Sequence, residues 1–372
     1  MESPGVQLGA SGTVSARNEL DLKIDAALND VSRVLPAAKG NIVANAHVLG
    51  PADNPHADAA ISNGTLHYDR FTLTGLKATV AATDLATGPK AKIGLTGSLN
   101  DLPLSMALDG AVDTAKNRIT ADGIKIALGG TSVSGKAAWL GTAADGNLTL
   151  ASTDLGEIGK LLGQDIHGVL DGQIALSAPK GKQSATVKAR LKSLTASGAT
   201  AGAATVDASG TDLLGDDPGF DAAVAATQIK VAGESIDHLS AKAAGTLSTL
   251  NVSVDASGPS GSVSTAATVR AKSGETAITL AKLDLAINQV QARLLNPAEI
   301  TLRGGEARVA NLAIGARDGT LRLDAALTEQ GNTAELRLER LPLSVLDAAG
   351  SDLHFMGTVD AAKRLPKLGG HH

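Results

Sequence analysis

The sequence predicts an all-β chain: a long, curled antiparallel β-sheet forming an open elongated groove, repeat-like, with a few short helices. Three observations predict it. Apolar and polar residues alternate at period two along almost the whole chain, as in strands with one wet face and one covered face. Turn chemistry separates the runs, at Asn63-Gly64, Asp109-Gly110, Asp145-Gly146, Asp318-Gly319 and Gln330-Gly331-Asn332. Aromatic residues are 1% of a chain that is 43% hydrophobic, namely Tyr68, Phe71, Trp139, Phe220 and Phe355. A closed sandwich of 372 residues normally fills its core with bulkier side chains. One sheet curled along its length, apolar inside and charged outside, meets this composition better.

The first ribbon, "ELDLKIDAAL", places Leu20, Leu22, Ile24 and Leu28 on one side and Glu19, Asp21, Lys23 and Asp25 on the other. Asn29-Asp30 then caps a short helix near 30–36 that ends at Pro36. Alternation resumes with Ile42 and Val48, then Leu104, Met106 and Leu108, then Ile124, Ile126 and Leu128, then Leu148 and Leu150. Asp154 followed by Glu157 reads as a capping box that opens a helix over 154–162, stopped by Gly163. The later strands carry Leu250, Val252 and Val254, Ile278 and Leu280, and Leu283, Leu285 and Ile287. Leu321, Leu323 and Leu327 follow, then Leu336 and Leu338. Pro342 stands at the first turn of a third short helix, 343–349, stopped by Gly350. These aliphatic residues are the expected groove lining, in one continuous repeat-type domain over 1–368. Residues 369–372 read as a tag remnant.

The helices mark an internal repeat. "NLTLASTDLGEIGKLLG" (147–163) matches "ELRLERLPLSVLDAAG" (335–350), and "GIKIALGGTSVSG" (123–135) matches "NLAIGARDGTLRLD" (311–324), both at an offset close to 190. A looser echo links Ala57–Leu85 to Ser184–Leu213. Units of this kind bury their faces by stacking on neighbours. The irregular offsets argue against a solenoid of identical rungs.

Composition excludes several function classes. A net charge of −5 with interspersed signs leaves no basic stripe for nucleic acid. The chain has no cysteine, so disulfides and thiolate metal sites are excluded. Apart from the terminal His371-His372 pair, its histidines are scattered singly, without ligand spacing. "GTSVSGKA" (130–137) has the outline of a phosphate loop, but alanine replaces the magnesium-binding hydroxyl and no helical run follows. The expectation is no enzyme, no metal and no cofactor, bound phospholipid or detergent aside. The sequence has neither a run of about 18 apolar residues nor a charged-then-apolar leader. Any membrane anchor is therefore expected outside this chain.

The span 20–80, with its strand, its short "DVSRVLP" turn and its Gly-Pro and Asn-Pro steps, resembles the TamB family of inner-membrane-anchored translocation and assembly module proteins, within the broader AsmA-like class of bridge-like lipid transfer proteins. "LLNPAEITLRGGEARVANLAIGARDGTLRLDAAL" (294–327) is similar to that family's repeated unit. The resemblance implies a taco-like β-sheet in the periplasm, anchored in the inner membrane of a Gram-negative bacterium. It also implies phospholipid passage between the membranes, and an outer-membrane barrel partner of the Omp85 class engaged through a region not in this chain. A second expectation, of another class, is a chaperone-like holder of outer-membrane protein strands that acts by β-augmentation.

Overall fold

A computed structural model describes residues 2–3, 5–272, 274–287, 290–317, 319–328, 331–342 and 358–368. The chain divides into two compact units, Met1–Leu191 with Thr195–Ser197, and Lys192–Leu194 with Gly198–His372. The fold is all-β and antiparallel, as the alternation predicts.

The first unit runs β1 (Glu2–Ser3), β2 (Val6–Val14), β3 (Glu19–Leu28), β4 (Ala38–Gly40), β5 (Ile42–Pro51), β6 (His56–Ser62), β7 (Thr65–Tyr68) and β8 (Phe71–Thr83). It continues with β9 (Lys90–Leu99), β10 (Leu102–Asp113), β11 (Arg118–Leu128), β12 (Thr131–Leu140), β13 (Ala143–Ser152), helix α1 (Leu155–Leu162) and β14 (Ile166–Ser177). The residues of β15 (Ser184–Ala196) are shared between the units. From β8 to β14 each strand pairs with the next in sequence, so the sheet is a meander. β4 and β7 form a small detour that pairs with the start of β8.

The second unit contains β16 (Ala199–Thr211), β17 (Gly219–Val231), β18 (Glu234–Thr246), β19 (Thr249–Gly258), β20 (Gly261–Lys272) and β21 (Glu275–Ile287). The short β22 (Val290–Leu294) and β23 (Ala298–Arg303) both pair with β21 on one side and with β24 (Glu306–Ala316) on the other. β25 (Gly319–Thr328), β26 (Gly331–Pro342) and β27 (Thr358–Leu368) follow in order.

Among the described residues neither unit has an ordinary core. The accessible surface is 22996 Å². Two separate compact globules of half the mass would together expose only about 16,500 Å². The buried apolar residues are mostly alanines, among them Ala121, Ala137, Ala226, Ala298 and Ala316, with Val31, Leu76, Leu161 and Val290 the larger ones.

Two local expectations change. The helix near 30–36 is a single 3-10 turn, Val31–Arg33, capped by Asp30, which accepts from the Ser32 N–H at 3.0 Å. So short a run cannot repay helix nucleation, and the β-branched Val31 and Val34 add to the cost. The Asp109-Gly110 and Asp145-Gly146 pairs are not turns but lie inside β10 and β13. Gly146 is there because a Cβ would crowd the Lys136 carbonyl on β12, and Gly110 flanks a register shift. The third helix, 343–349, lies outside the described residues, as does the 369–372 segment.

Candidate functional site: an open aliphatic face

The pairing register assembles the alternating residues into rows that run across the strands. In the first unit one row reads Ala10, Ile24, Ala46, Ala59, Val80, Ile93, Leu108, Ile124, Gly135, Leu148 and Ile174. The next reads Leu8, Ala26, Ala44, Ile61, Ala78, Leu95, Met106, Ile126, Val133, Leu150 and Gly172. Neither row contains a polar side chain. Leu20 opposite Gly50, Leu22 opposite Val48, Leu28 opposite Ile42 and Leu104 opposite Leu128 extend the same face.

The second unit repeats the arrangement. One row joins Gly210, Phe220, Gly245, Leu250, Val269, Ile278, Ile300, Val309, Ala325 and Ala334. Val252 and Leu280 flank Ala267, and Leu285 and Ala256 flank Val263. Val254 and Leu283 flank Thr265, whose hydroxyl is occupied by donating to the Lys282 carbonyl at 3.1 Å. Ile287 stands between Gly261 and Val290. Leu312, Leu323 and Leu336 form a short row, as do Ile314, Leu321 and Leu338. Leu327 lies at the end, between Ala307 and Asn332, 51% exposed.

The predicted lining residues thus come together, within each unit, on one face. Sequence reasoning took alternate alanines such as Ala26, Ala44 and Ala46 as part of that face but did not single out others between the leucines, such as Ala59, Ala78 and Gly172, whose signal was the same period-two spacing at lower hydrophobicity. It also missed the bulges that hold the faces constant. Between Ala266/Ala267 and Leu280/Lys282 the register shifts, so one extra residue on β21 keeps Leu280 and Leu283 on the same side despite their odd spacing. Similar shifts occur in β11 between Ala121 and Ile124 and in β24 between Val309 and Leu312.

The opposite face is polar and internally bonded. Asp21 meets the His47 ring Nε2 at 2.7 Å, Ser264 donates to Asp255 at 2.6 Å and Thr268 donates to Asn251 at 2.8 Å. Two hollows lie on this side, of about 700 Å³ in the first unit and about 1060 Å³ in the second. At β3 and β24 their linings take Lys23 and Asp25 but skip Ile24, and take Gly315 and Arg317 but skip Ala316; on the other strands they also include row residues such as Val80, Ile93 and Leu108, or Val263 and Leu285, each between two neighbours of the opposite face. A wall that omits the residue between two others faces away from that residue's side chain.

Helix α1 lies at the strand ends. Gly159 packs so closely on Ile166 that a Cβ there would collide with it, and Gly156 likewise abuts His167, so the helix crosses the end of β14 rather than covering one face. Asp154 accepts from the Gly156 N–H at 2.8 Å. That bond, with His167 nearby, holds its carboxyl below the usual carboxylate range. Glu157 does not close the expected capping box but accepts from the Gly130 N–H at 2.6 Å, fastening the helix to the β11–β12 turn. Beside the helix, Ser152, which is 2% exposed, bonds the Thr131 hydroxyl at 2.7 Å.

The phosphate-loop outline at 130–137 forms a turn and strand β12 rather than a loop opening a helix. Among the described residues there is no cluster of three metal-ligating side chains, and no helix is long and apolar enough to cross a membrane. No family model, no curated protein and no solved structure matches this chain.

Proposed function

We propose that the aliphatic face is a bed for phospholipid acyl chains, and that the protein conducts phospholipid between the inner and outer membranes in the periplasm, supporting outer-membrane biogenesis. No residue performs covalent chemistry in this reading. The observation that carries it is the row structure, which crosses eleven strands of the first unit without a polar side chain and has no core behind it. An acyl chain needs a smooth wall without hydrogen-bonding groups, and each methylene it buries there contributes about 0.8 kcal/mol. The resemblance of 20–80 and 294–327 to the TamB family supports the same reading and supplies the proposed compartment. It also supplies the proposed inner-membrane anchor and Omp85-class barrel partner.

The chaperone-like alternative has one observation in its favour. β1 covers only Val6 and Gln7 of β2, and every residue of β2 is exposed, so an added strand could pair there. Mass spectrometry of the natively purified protein separates the two readings. Lipid conduction predicts co-purified phospholipid that falls at least several-fold in Leu22→Arg and Leu283→Arg while the far-ultraviolet spectrum stays β-type. Lipid-free protein that cross-links to unfolded barrel strands would support the alternative.

A further inference from the structure

The second hollow carries two guanidiniums, Arg293 and Arg317, that have no ion pair among the described residues. Its carboxylates are already engaged. Asp255 accepts from Ser264 at 2.6 Å, and Asp284 pairs with Lys282 at 3.3 Å, while Lys282 also donates to Ser264 at 2.8 Å. Arg293, on β22, stands between Asp284 and Gly315 in the ladder, and Arg317, two residues beyond Gly315, lines the same hollow. Between Arg293 and β18 the ladder row reads Asp284, Ser264, Asp255 and Ser240, with Ser257 and Ser262 in the neighbouring row, and these short side chains leave the space of about 1060 Å³ open.

We propose that this hollow binds a phosphate ester bearing free hydroxyl groups. Arg293 and Arg317 take the phosphate, since paired guanidiniums match its oxygens with charge-assisted hydrogen bonds. The serine hydroxyls, each both donor and acceptor, face the polyol part. The arginines and serines of this site lie on the polar side of the sheet, while the hollow's lining also includes Ala256, Val263 and Leu285 of the aliphatic rows. The same chemistry occurs in a soluble polyol phosphate and in a glycerophospholipid headgroup.

Calorimetric titration of the full chain tests it, with glycerol 3-phosphate, inorganic phosphate and glycerol as separate probes. Glycerol 3-phosphate is expected to bind saturably and more tightly than either fragment. Arg293→Ala and Arg317→Ala should each weaken it about ten-fold, with Arg293→Lys intermediate. Leu250→Arg, which damages only the apolar face, should leave this affinity unchanged, so loss of acyl-chain binding and loss of phosphate binding remain distinguishable. Competition by monomeric dihexanoyl phosphatidylglycerol would identify a headgroup, and its absence a soluble ester; either supports the site. Equal affinity in the wild type and in the natively folded double alanine variant, or no saturable binding of glycerol 3-phosphate, overturns it.

Discussion

The β11–β13 segment of the first unit and the β24–β26 segment of the second are the same ladder built twice. Ala121 and Val309, Ile124 and Leu312, Gly135 and Leu323, and Leu148 and Leu336 are each 188 residues apart, and each occupies the same register position in its ladder. Even the bulge recurs, between Ala121 and Ile124 in one and between Val309 and Leu312 in the other. The copies differ at one central point. Gly135 has a φ of +150°, and a Cβ there would collide with the Asn147 carbonyl, whereas its counterpart Leu323 carries a full side chain opposite Leu336. Register therefore follows from the period-two pattern and the bulge, while the closeness of adjacent backbones is set locally by glycine. The apolar face survives both choices.

Exchanging the residues should break the symmetry unevenly. Gly135→Leu, which copies the second unit into the first, is expected to destabilise by about 3 kcal/mol or more, since it combines backbone strain with overpacking against β13. Urea unfolding measures it, and a change below the error of the fit would show that β13 can move away. The reverse change, Leu323→Gly, removes only a half-buried side chain and should cost about 1–2 kcal/mol. Equal costs for the two would remove glycine as the cause of the difference.

A smaller effect concerns α1, at the end of the first copy. Because the Asp154 pKa is lowered in the folded state, its contribution is present above the ordinary carboxylate range and is lost as pH falls through the folded value. The protection of the Gly156 amide against exchange, relative to the unstructured rate at each pH, should therefore fall on acidification below the ordinary carboxylate range, and Asp154→Asn should flatten that dependence. An unchanged profile in the variant would assign the acid sensitivity to another group.

Much of this fold was legible because period two is a strong signal. Leu20, Leu22 and Ile24, or Leu104, Met106 and Leu108, name their face directly. The bulges were not legible, since one extra residue such as that near Ala281 has no composition of its own and is fixed by pairing with β20. Asp109-Gly110 and Asp145-Gly146 misled because glycine serves close strand approach as readily as it serves a turn. The candidate acyl-chain face was legible from its leucines, but its continuity was not. That continuity depends on Ala46, Ala59 and Ala78, small residues whose alignment across strands appears only when those strands are in register. The hollow beside Arg293 and Arg317 had no sequence signal, because those residues are 24 positions apart, one on β22 and the other just past the end of β24.

The adjacent positions Leu148, Thr149 and Leu150 on β13 test the lipid bed most directly, because Leu148 and Leu150 belong to the aliphatic rows and Thr149 points to the polar face. A photo-activated cross-linking residue placed at each position in turn, in cells, reports what covers that face. Acyl-chain conduction predicts phospholipid adducts at 148 and 150 and background at 149. Adducts of equal yield at all three positions, or protein adducts alone at 148 and 150, would contradict it.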